Sequence, residues 1–270
     1  MRRQEIVSRE YKVMLRPARF AGDDQAVLET AGALWRDLSR CVAEVVLDTK
    51  GRLDRVATRR LIRFHDTRRH RLNQAGYIYR ERRDMATGCC EITLKFRHPD
   101  RYVAQHRDMA AARLKEARTK FEEDIKAPFV SLYSFSTTTS IDPAKAFRTL
   151  RDVARLFPDV PQRIGKSRED EALAVVNGFT ARERVIVGAD LRIGKSPRVD
   201  AECALIVWHD HDRRRATPVA VELSFRYGDE KERYGGVMAG RAWAVFQRIQ
   251  TELGAWVDPR PVTKTAFVYA

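Results

Sequence analysis

The 270-residue chain is long enough for one large domain or two small ones, and its 44% of hydrophobic residues suffices for a substantial core. These values exclude a disordered tail, and no stretch approaches the roughly 18 apolar residues that a membrane span needs. Lysines and arginines number 51 against 37 aspartates and glutamates, which gives a formal net charge of +14. We therefore expect a soluble cytoplasmic protein that attracts polyanions: composition alone leaves nucleic acid, polyphosphate, nucleotides and anionic membrane surfaces open.

The first part of the chain predicts a strand followed by a helix. Apolar and polar residues alternate from 6 to 15, as in a strand, and Pro17 limits its extension. Asp23 and Asp24 then mark the start of a predicted helix that reaches Val46, with apolar residues at helical spacing.

Strand-like segments dominate the rest of the sequence. They are predicted at 59–66, 77–84, 89–97, 117–124, 130–138, 172–192 in two parts, 201–209, 217–228 and finally 264–269. Helices are predicted at 143–157 and 236–256. Many short strands without regular alternation with helices are typical of an antiparallel sheet or barrel. The fold class is therefore a β-rich α+β protein, an antiparallel β-barrel with peripheral helices.

Charged side chains on several predicted strands share one face, because residues two apart on a strand point the same way. The sets that share a face are Ser8, Glu10 and Lys12; Arg80 and Arg82; Thr93, Lys95 and Arg97; and Glu222, Ser224 and Arg226. A sheet with one face in water explains such a pattern, but solvated faces usually mix charges of both signs. If the sheet closes into a barrel, these mainly cationic faces line its lumen.

Residues 63–100, RFHDTRRHRLNQAGYIYRERRDMATGCCEITLKFRHPD, carry an ordered set of short motifs. An FDT-like motif occurs as Phe64-His65-Asp66-Thr67, followed by Leu72 and Gly76, then Arg80 and Arg82, then Thr93-Leu94-Lys95. This order resembles the CYTH or triphosphate tunnel metalloenzyme superfamily, whose chains show FDT, a leucine and a glycine, LRxR and LTLK. Within this motif we expect Asp66 to fix a turn.

Two further motifs of that family are incomplete. Its first strand carries ExExK, where this chain has Ser8 in place of the first glutamate, then Glu10 and Lys12. A later strand of that family carries a pair of acidic residues. The corresponding segment here, VAVELSF, contains only Glu222. Relative to the simplest members, we expect a single domain over 1–270 with an insertion at about 98–170.

The resemblance implies an eight-stranded antiparallel tunnel in which cations hold a triphosphate and carboxylates hold a divalent metal. It assigns phosphate binding to Lys12, Arg80, Arg82 and Lys95, with Arg97, Arg184, Arg226 and Lys264 as further candidates. Glu10 and Lys12 would be the catalytic pair, and Glu10 and Glu222 would bind the metal, with Glu122 and Asp124 as additional ligands. Oxygen ligands favour Mg or Mn.

Three functions remain open at this stage. The first is a metal-dependent phosphohydrolase acting on triphosphate, polyphosphate or a nucleoside triphosphate, which we favour slightly. The second is a non-catalytic module of the same fold that binds polyphosphate or a phosphorylated ligand. The third is nucleic-acid binding, for which the few exposed aromatic residues give little support.

Overall fold

The computed structural model describes residues 3–112, 116–142, 148–165, 170–213, 215–260 and 262–270. The strands are β1 (Ser8–Leu15), β2 (Asp48–Thr67), β3 (Tyr77–Asp84), β4 (Cys90–His98), β5 (Arg118–Lys126), β6 (Val130–Ile141), β7 (Leu173–Lys195), β8 (Arg198–Asp210) and β9 (Ala220–Gly228). The helices are α1 (Asp24–Val42), α2 (Arg71–Gln74), α3 (Arg101–Gln105), α4 (Leu150–Leu156), α5 (Val160–Ile164), α6 (Gly236–Glu252) and α7 (Lys264–Tyr269). A short 3-10 turn, Pro17–Phe20, joins β1 to α1.

The nine strands form one sheet that closes into a barrel in the order β1-β5-β6-β4-β3-β2-β7-β8-β9. Eight neighbouring pairs are antiparallel, and β1 pairs with β5 in parallel. The predicted fold class, a β-rich α+β barrel with peripheral helices, is confirmed. The barrel differs from the eight-stranded antiparallel tunnel that the resemblance implies by one strand and one parallel pair.

Most apolar side chains of the strands point outward and are covered by helices, whereas Phe64, Ile206 and Trp208 face the lumen. On one side of the barrel, α1 and α6 pack against β1, β8 and β9 through residues such as Leu34, Phe246 and Phe225. On the other side, α4 and the turn at α2 cover β4 through Val153 and Leu72. Because side chains alternate along each strand, this arrangement directs the charged faces into the lumen.

Several element bounds differ from the expectations. The segment 264–269 is the helix α7 and not a strand: the Thr263 hydroxyl accepts a hydrogen bond from the Ala266 amide at 3.1 Å, and a closed sheet leaves no edge to extend. β7 is one continuous strand, and α1 ends at Val42 and not at Val46. The start of the helix predicted at 143–157 lies outside the described residues; its remainder is α4.

Residues 98–170, expected as an insertion, contribute β5 and β6 to the closed sheet. These two strands complete the ring between β1 and β4, so part of the lumen wall comes from this region. Among the described residues, no helix is long and apolar enough to span a membrane.

Asp66 organises the turn between β2 and α2. Its side chain is 1% exposed and accepts hydrogen bonds from three backbone amides, those of Thr67 at 2.7 Å and of Leu72 and Asn73 at 3.0 Å. Burial raises the pKa of Asp66, although these amide donors oppose the change. One carboxyl group therefore satisfies donors that would otherwise be buried without partners.

Replacing Asp66 with alanine should lower the free energy of unfolding by about 2–4 kcal/mol, because the buried amides lose their acceptor. Asp66→Asn keeps one acceptor oxygen and should cost less. Urea denaturation of both variants measures the difference. Equal stability of Asp66→Ala and the wild type would contradict this role.

Candidate functional site

The lumen contains a cavity of about 420 Å³ with a cationic lining. Eleven lysine and arginine side chains and five glutamates face it. The cations are Lys12, Arg60, Arg80, Arg82, Lys95, Arg97, Arg118, Lys120, Lys126, Arg226 and Lys264; the glutamates are Glu10, Glu91, Glu122, Glu183 and Glu222. The cavity therefore has an excess of lysines and arginines over glutamates.

Most of the residues selected from the sequence meet in this cavity. Those that line it are Glu10, Lys12, Arg80, Arg82, Lys95, Arg97, Glu122, Glu222, Arg226 and Lys264. Asp124 lies directly behind them and contacts several of the lysines and arginines. Lys264 reaches the lumen from α7, outside the sheet, where its Nζ lies 3.0 Å from Glu222 Oε1.

Arg184 is the exception and does not enter the cavity. Its guanidinium pairs with Asp24 at the start of α1 and donates to the buried His209 ring. The neighbouring Glu183 faces the lumen, and adjacent residues on a strand point to opposite faces, so Arg184 must point outward. The expected role of Arg184 in phosphate binding is therefore not supported by its position.

Asp124 is the centre of one half of the lumen. Its carboxylate, 2% exposed, lies 2.5 Å from Lys12 Nζ, 3.4 Å from Lys95 Nζ and 3.3 Å from Arg97 Nε. The Ser134 hydroxyl donates a further hydrogen bond at 2.6 Å. Three cations on β1 and β4 thus share one buried carboxylate on β5, which fixes their positions relative to one another.

The protonation equilibria of this cluster follow from burial and the short contacts. Burial alone would raise the pKa of Asp124, but Lys12, Lys95 and Arg97 hold it well below its ordinary value. Burial alone would lower the pKa of Lys12, but Asp124 and Glu10 raise it above its ordinary value. Lys95 is less well compensated, and burial lowers its pKa to about 8. Burial likewise lowers the pKa of Lys126 to about 8.

The opposite half of the lumen contains arginines whose positive charge is only weakly balanced by nearby carboxylates. Arg80 and Arg82 follow each other on the inner face of β3, and burial, together with nearby arginines, lowers the pKa of both. Among the residues that the structure describes, no acceptor lies within hydrogen-bonding distance of the Nε atom of either side chain. Buried donors without acceptors are costly, so this wall favours an anion.

Next to these arginines, Arg60 and Glu183 form an ion pair. Arg60 Nε lies 2.6 Å from Glu183 Oε1, and the Trp208 indole donates to Glu183 Oε2 at 2.7 Å. Burial alone would raise the pKa of Glu183, but Arg60, Lys264 and Arg82 lower it to about 2. Glu183 is therefore ionised and neutralises one charge of this wall.

A row of hydroxyl groups lies between the two halves. Thr93 on β4 and Thr138 on β6 are hydrogen bonded to each other at 2.9 Å, and Ser136 lines the same wall. Hydroxyls both donate and accept hydrogen bonds, so they suit phosphate oxygens next to cations.

Several lumen residues were not selected from the sequence. Lys120, Lys126 and Arg118 lie on β5 in the same alternation as Glu122 and Asp124, so the arithmetic applied to the other strands identifies them. The alternation of charged residues does not identify Arg60 and Glu183. The next residues on the same face of each strand are apolar: Ile62 and Phe64 after Arg60, and Val185 and Val187 after Glu183.

The four carboxylates expected to bind a metal are already paired with cations. Glu10 lies 2.9 Å from Lys12, and Glu222 lies 3.0 Å from Lys264. Glu122 Oε2 lies 3.9 Å from Lys95 Nζ, and its other carboxylate oxygen accepts a hydrogen bond from Ser8 at 2.8 Å. Asp124 contacts three cations. Within the described part of the chain, no group of three or more His, Cys, Asp or Glu residues is placed to hold a metal ion. This donor set does not fit Mg or Mn, which require several oxygen ligands.

No protein-family model matches the chain, and no curated protein matches it. A solved structure from Hippeastrum, assigned as an adenylyl cyclase and described as having a dominant triphosphatase activity, is similar over 97% of this chain and 95% of its own, with 14% identity and a TM-score of 0.46. A protein from Bacillus halodurans, assigned as an adenylate cyclase, is similar over 99% and 98%, with 12% identity and a TM-score of 0.42. At these values the similarities carry no functional inference.

Replacing Asp124 with asparagine should lower the free energy of unfolding at pH 7 by about 3–5 kcal/mol, because it leaves three buried cations without their shared carboxylate. The folded-state pKa of Asp124 is depressed, so its contribution is complete above the unfolded value of about 3.9 and is lost as the pH falls through the folded value. Urea denaturation at pH 7 and in acid measures both effects.

The matched control for this experiment is Asp54→Asn, since Asp54 is exposed. We expect that control to change stability little. A wild-type stability of Asp124→Asn at pH 7 would show that the three cations do not depend on this carboxylate.

Proposed function

We propose that the protein binds a linear triphosphate group in the lumen, as inorganic tripolyphosphate, as part of a polyphosphate chain, or as the triphosphate of a nucleotide. The observation that carries the proposal is the enclosed excess of cations, with the Nε atoms of Arg80 and Arg82 lacking acceptors among the described residues.

The charge of the lumen fits a compact polyanion. Eleven lysines and arginines stand against five glutamates and the adjoining Asp124, an excess of five positive charges. Like charges enclosed by a closed sheet repel one another more strongly than on an open surface, because the surrounding dielectric constant is lower. A tripolyphosphate carries about four to five negative charges near neutral pH and would balance this excess.

The chemistry of the donors also fits phosphate. Arginine presents a planar fork that matches two phosphate oxygens, and lysine adds a point charge. Arg80 and Arg82 supply forks from β3, while Lys95 supplies an ammonium group from β4. Thr93 adds a hydroxyl beside them. Sulfate or a single phosphate would reach only part of this set, which favours an extended chain of phosphates.

Binding is better supported than catalysis. Metal-dependent hydrolysis requires carboxylates that are free to coordinate a metal, and those of the lumen are engaged by lysine and arginine. We therefore conclude that a phosphate-binding module is the function that the site supports best. Release of phosphate from tripolyphosphate and ATP, measured with and without Mg²⁺ or Mn²⁺, tests the catalytic alternative. Metal-dependent turnover that Glu10→Gln abolishes would establish hydrolysis instead.

Arg82→Ala should weaken tripolyphosphate binding by roughly tenfold or more, since a hydrogen bond to a charged group contributes about 1.5–3 kcal/mol. The matched control is Arg83→Ala, because Arg83 is the next residue on β3 and is exposed on the opposite face. Isothermal titration calorimetry at fixed salt measures both variants. If both substitutions weaken binding equally, the anion binds to the outer surface and not in the lumen.

Competition with single-stranded DNA separates this proposal from nucleic-acid binding. An enclosed lumen should favour tripolyphosphate, whereas a basic outer surface binds both anions through counterion release. Displacement of tripolyphosphate by equal concentrations of DNA phosphate at physiological salt would favour the nucleic-acid alternative.

Tripolyphosphate binding should weaken as the pH rises through about 8, the pKa to which burial lowers Lys95 and Lys126. A bound anion favours the protonated form of both lysines, so binding takes up protons near this pH and loses affinity above it. Lys95 also faces Asp124, Arg97, Glu122 and Lys12. Calorimetry in buffers of different ionisation enthalpy counts the protons, and Lys95→Arg should reduce that number.

A further inference from the structure

We infer that the lumen takes the phosphate chain as a metal-free polyanion, so that lysines and arginines of the protein neutralise the charge that a divalent metal would otherwise neutralise. This inference rests on the proposed function and specifies the form of the ligand. It follows from what the carboxylates and the cations of the lumen contact.

The carboxylates are used within the protein. Asp124 is almost completely buried, and its two oxygens contact Lys12, Lys95, Arg97 and the Ser134 hydroxyl. For Asp124 to coordinate a metal, these cations would have to give up a contact inside a poorly solvated cavity. Removing one partner from a buried ion pair is strongly unfavourable.

The remaining carboxylates do not replace it. Glu222 is buried with Lys264, which reaches it from the C-terminal helix α7. Glu183 holds Arg60 and the Trp208 indole on the opposite wall. The other glutamates of the lumen also face cations: Glu10 faces Lys12, Glu122 faces Lys95 and Glu91 faces Arg118. The cations that remain in excess give the cavity a positive potential that repels a free divalent ion.

The same cations suit the phosphate oxygens directly. Arg80 and Arg82 offer guanidinium donors, and their Nε atoms have no acceptor among the described residues. A chain complexed with Mg²⁺ carries less negative charge and has some of its oxygens occupied, so it would balance less of the cationic excess and accept more weakly from these donors. The metal-free chain satisfies them.

Calorimetry with tripolyphosphate in EDTA and in excess Mg²⁺ tests the inference. We expect Mg²⁺ to raise the apparent Kd by about tenfold where nine-tenths of the ligand is complexed, because only the free chain is competent to bind. An unchanged or lower Kd in Mg²⁺ would overturn the inference while leaving the proposed function intact. Absence of binding in both buffers would reject the proposed function itself.

A titration with Mn²⁺ alone, followed by electron paramagnetic resonance, gives an independent readout without phosphate. We expect no Mn²⁺ binding that depends on the lumen carboxylates. The variants are Glu10→Gln and Glu222→Gln, with the exposed Glu5→Gln as matched control. Stoichiometric Mn²⁺ binding that a lumen variant removes and the control retains would overturn the inference; a signal that is the same in all variants supports it.

Discussion

Charge confined inside a closed sheet is the constraint on which the rest of this structure depends. Nine strands form a ring, and their inner faces carry more lysines and arginines than carboxylates. Such a lumen is stable only if its cations are held apart or neutralised, because charges in an enclosed cavity are poorly screened. Asp124 achieves part of this by binding three cations at once. The positive charge that remains unbalanced is unfavourable, and a bound anion would relieve this unfavourable energy.

The helices follow from the same constraint. A barrel with a charged interior must bury the apolar face of each strand on its outside, and an apolar outer face needs a cover. α1 and α6 supply it on one side, packing against residues such as Tyr11 and Phe225, and shorter helices supply it on the other. Most of the core therefore surrounds the barrel, and apart from Phe64, Ile206 and Trp208 the described side chains that line the cavity are polar.

The sequence predicts this arrangement where alternation is regular. On β4, Thr93, Lys95 and Arg97 alternate with Ile92 and Leu94, so the pattern assigns the charged residues to one face and the apolar residues to the other. It also identifies Arg80 and Arg82, which line the cavity.

The pattern fails where both faces carry similar residues. In β7, Arg182, Glu183 and Arg184 are followed by Val185 and Ile186, so neither face is distinctly apolar. Only the closed sheet and α1 determine that Glu183 points inward and Arg184 outward.

The carboxylates illustrate a second limit: a motif shows which residues face the lumen, but not which cation each of them contacts. Glu222 pairs with Lys264 because α7 packs there, and the separation of the two residues in the sequence gives no indication of that contact.

The positive charges of the two halves of the lumen are balanced by carboxylates to different extents. This difference indicates where an anion would bind. Around Asp124, each of the three cations already contacts a carboxylate, so an anion gains less there and must compete with an internal partner. Around Arg80 and Arg82, burial lowers the pKa of both guanidinium groups and their Nε atoms lack acceptors among the described residues. An anion placed against β3 therefore relieves the larger unfavourable energy, while the cluster around Asp124 holds Lys95 in position to reach the same ligand from β4. If the proposed function is correct, the Asp124 cluster would position the cations and the arginines of β3 would provide most of the binding energy.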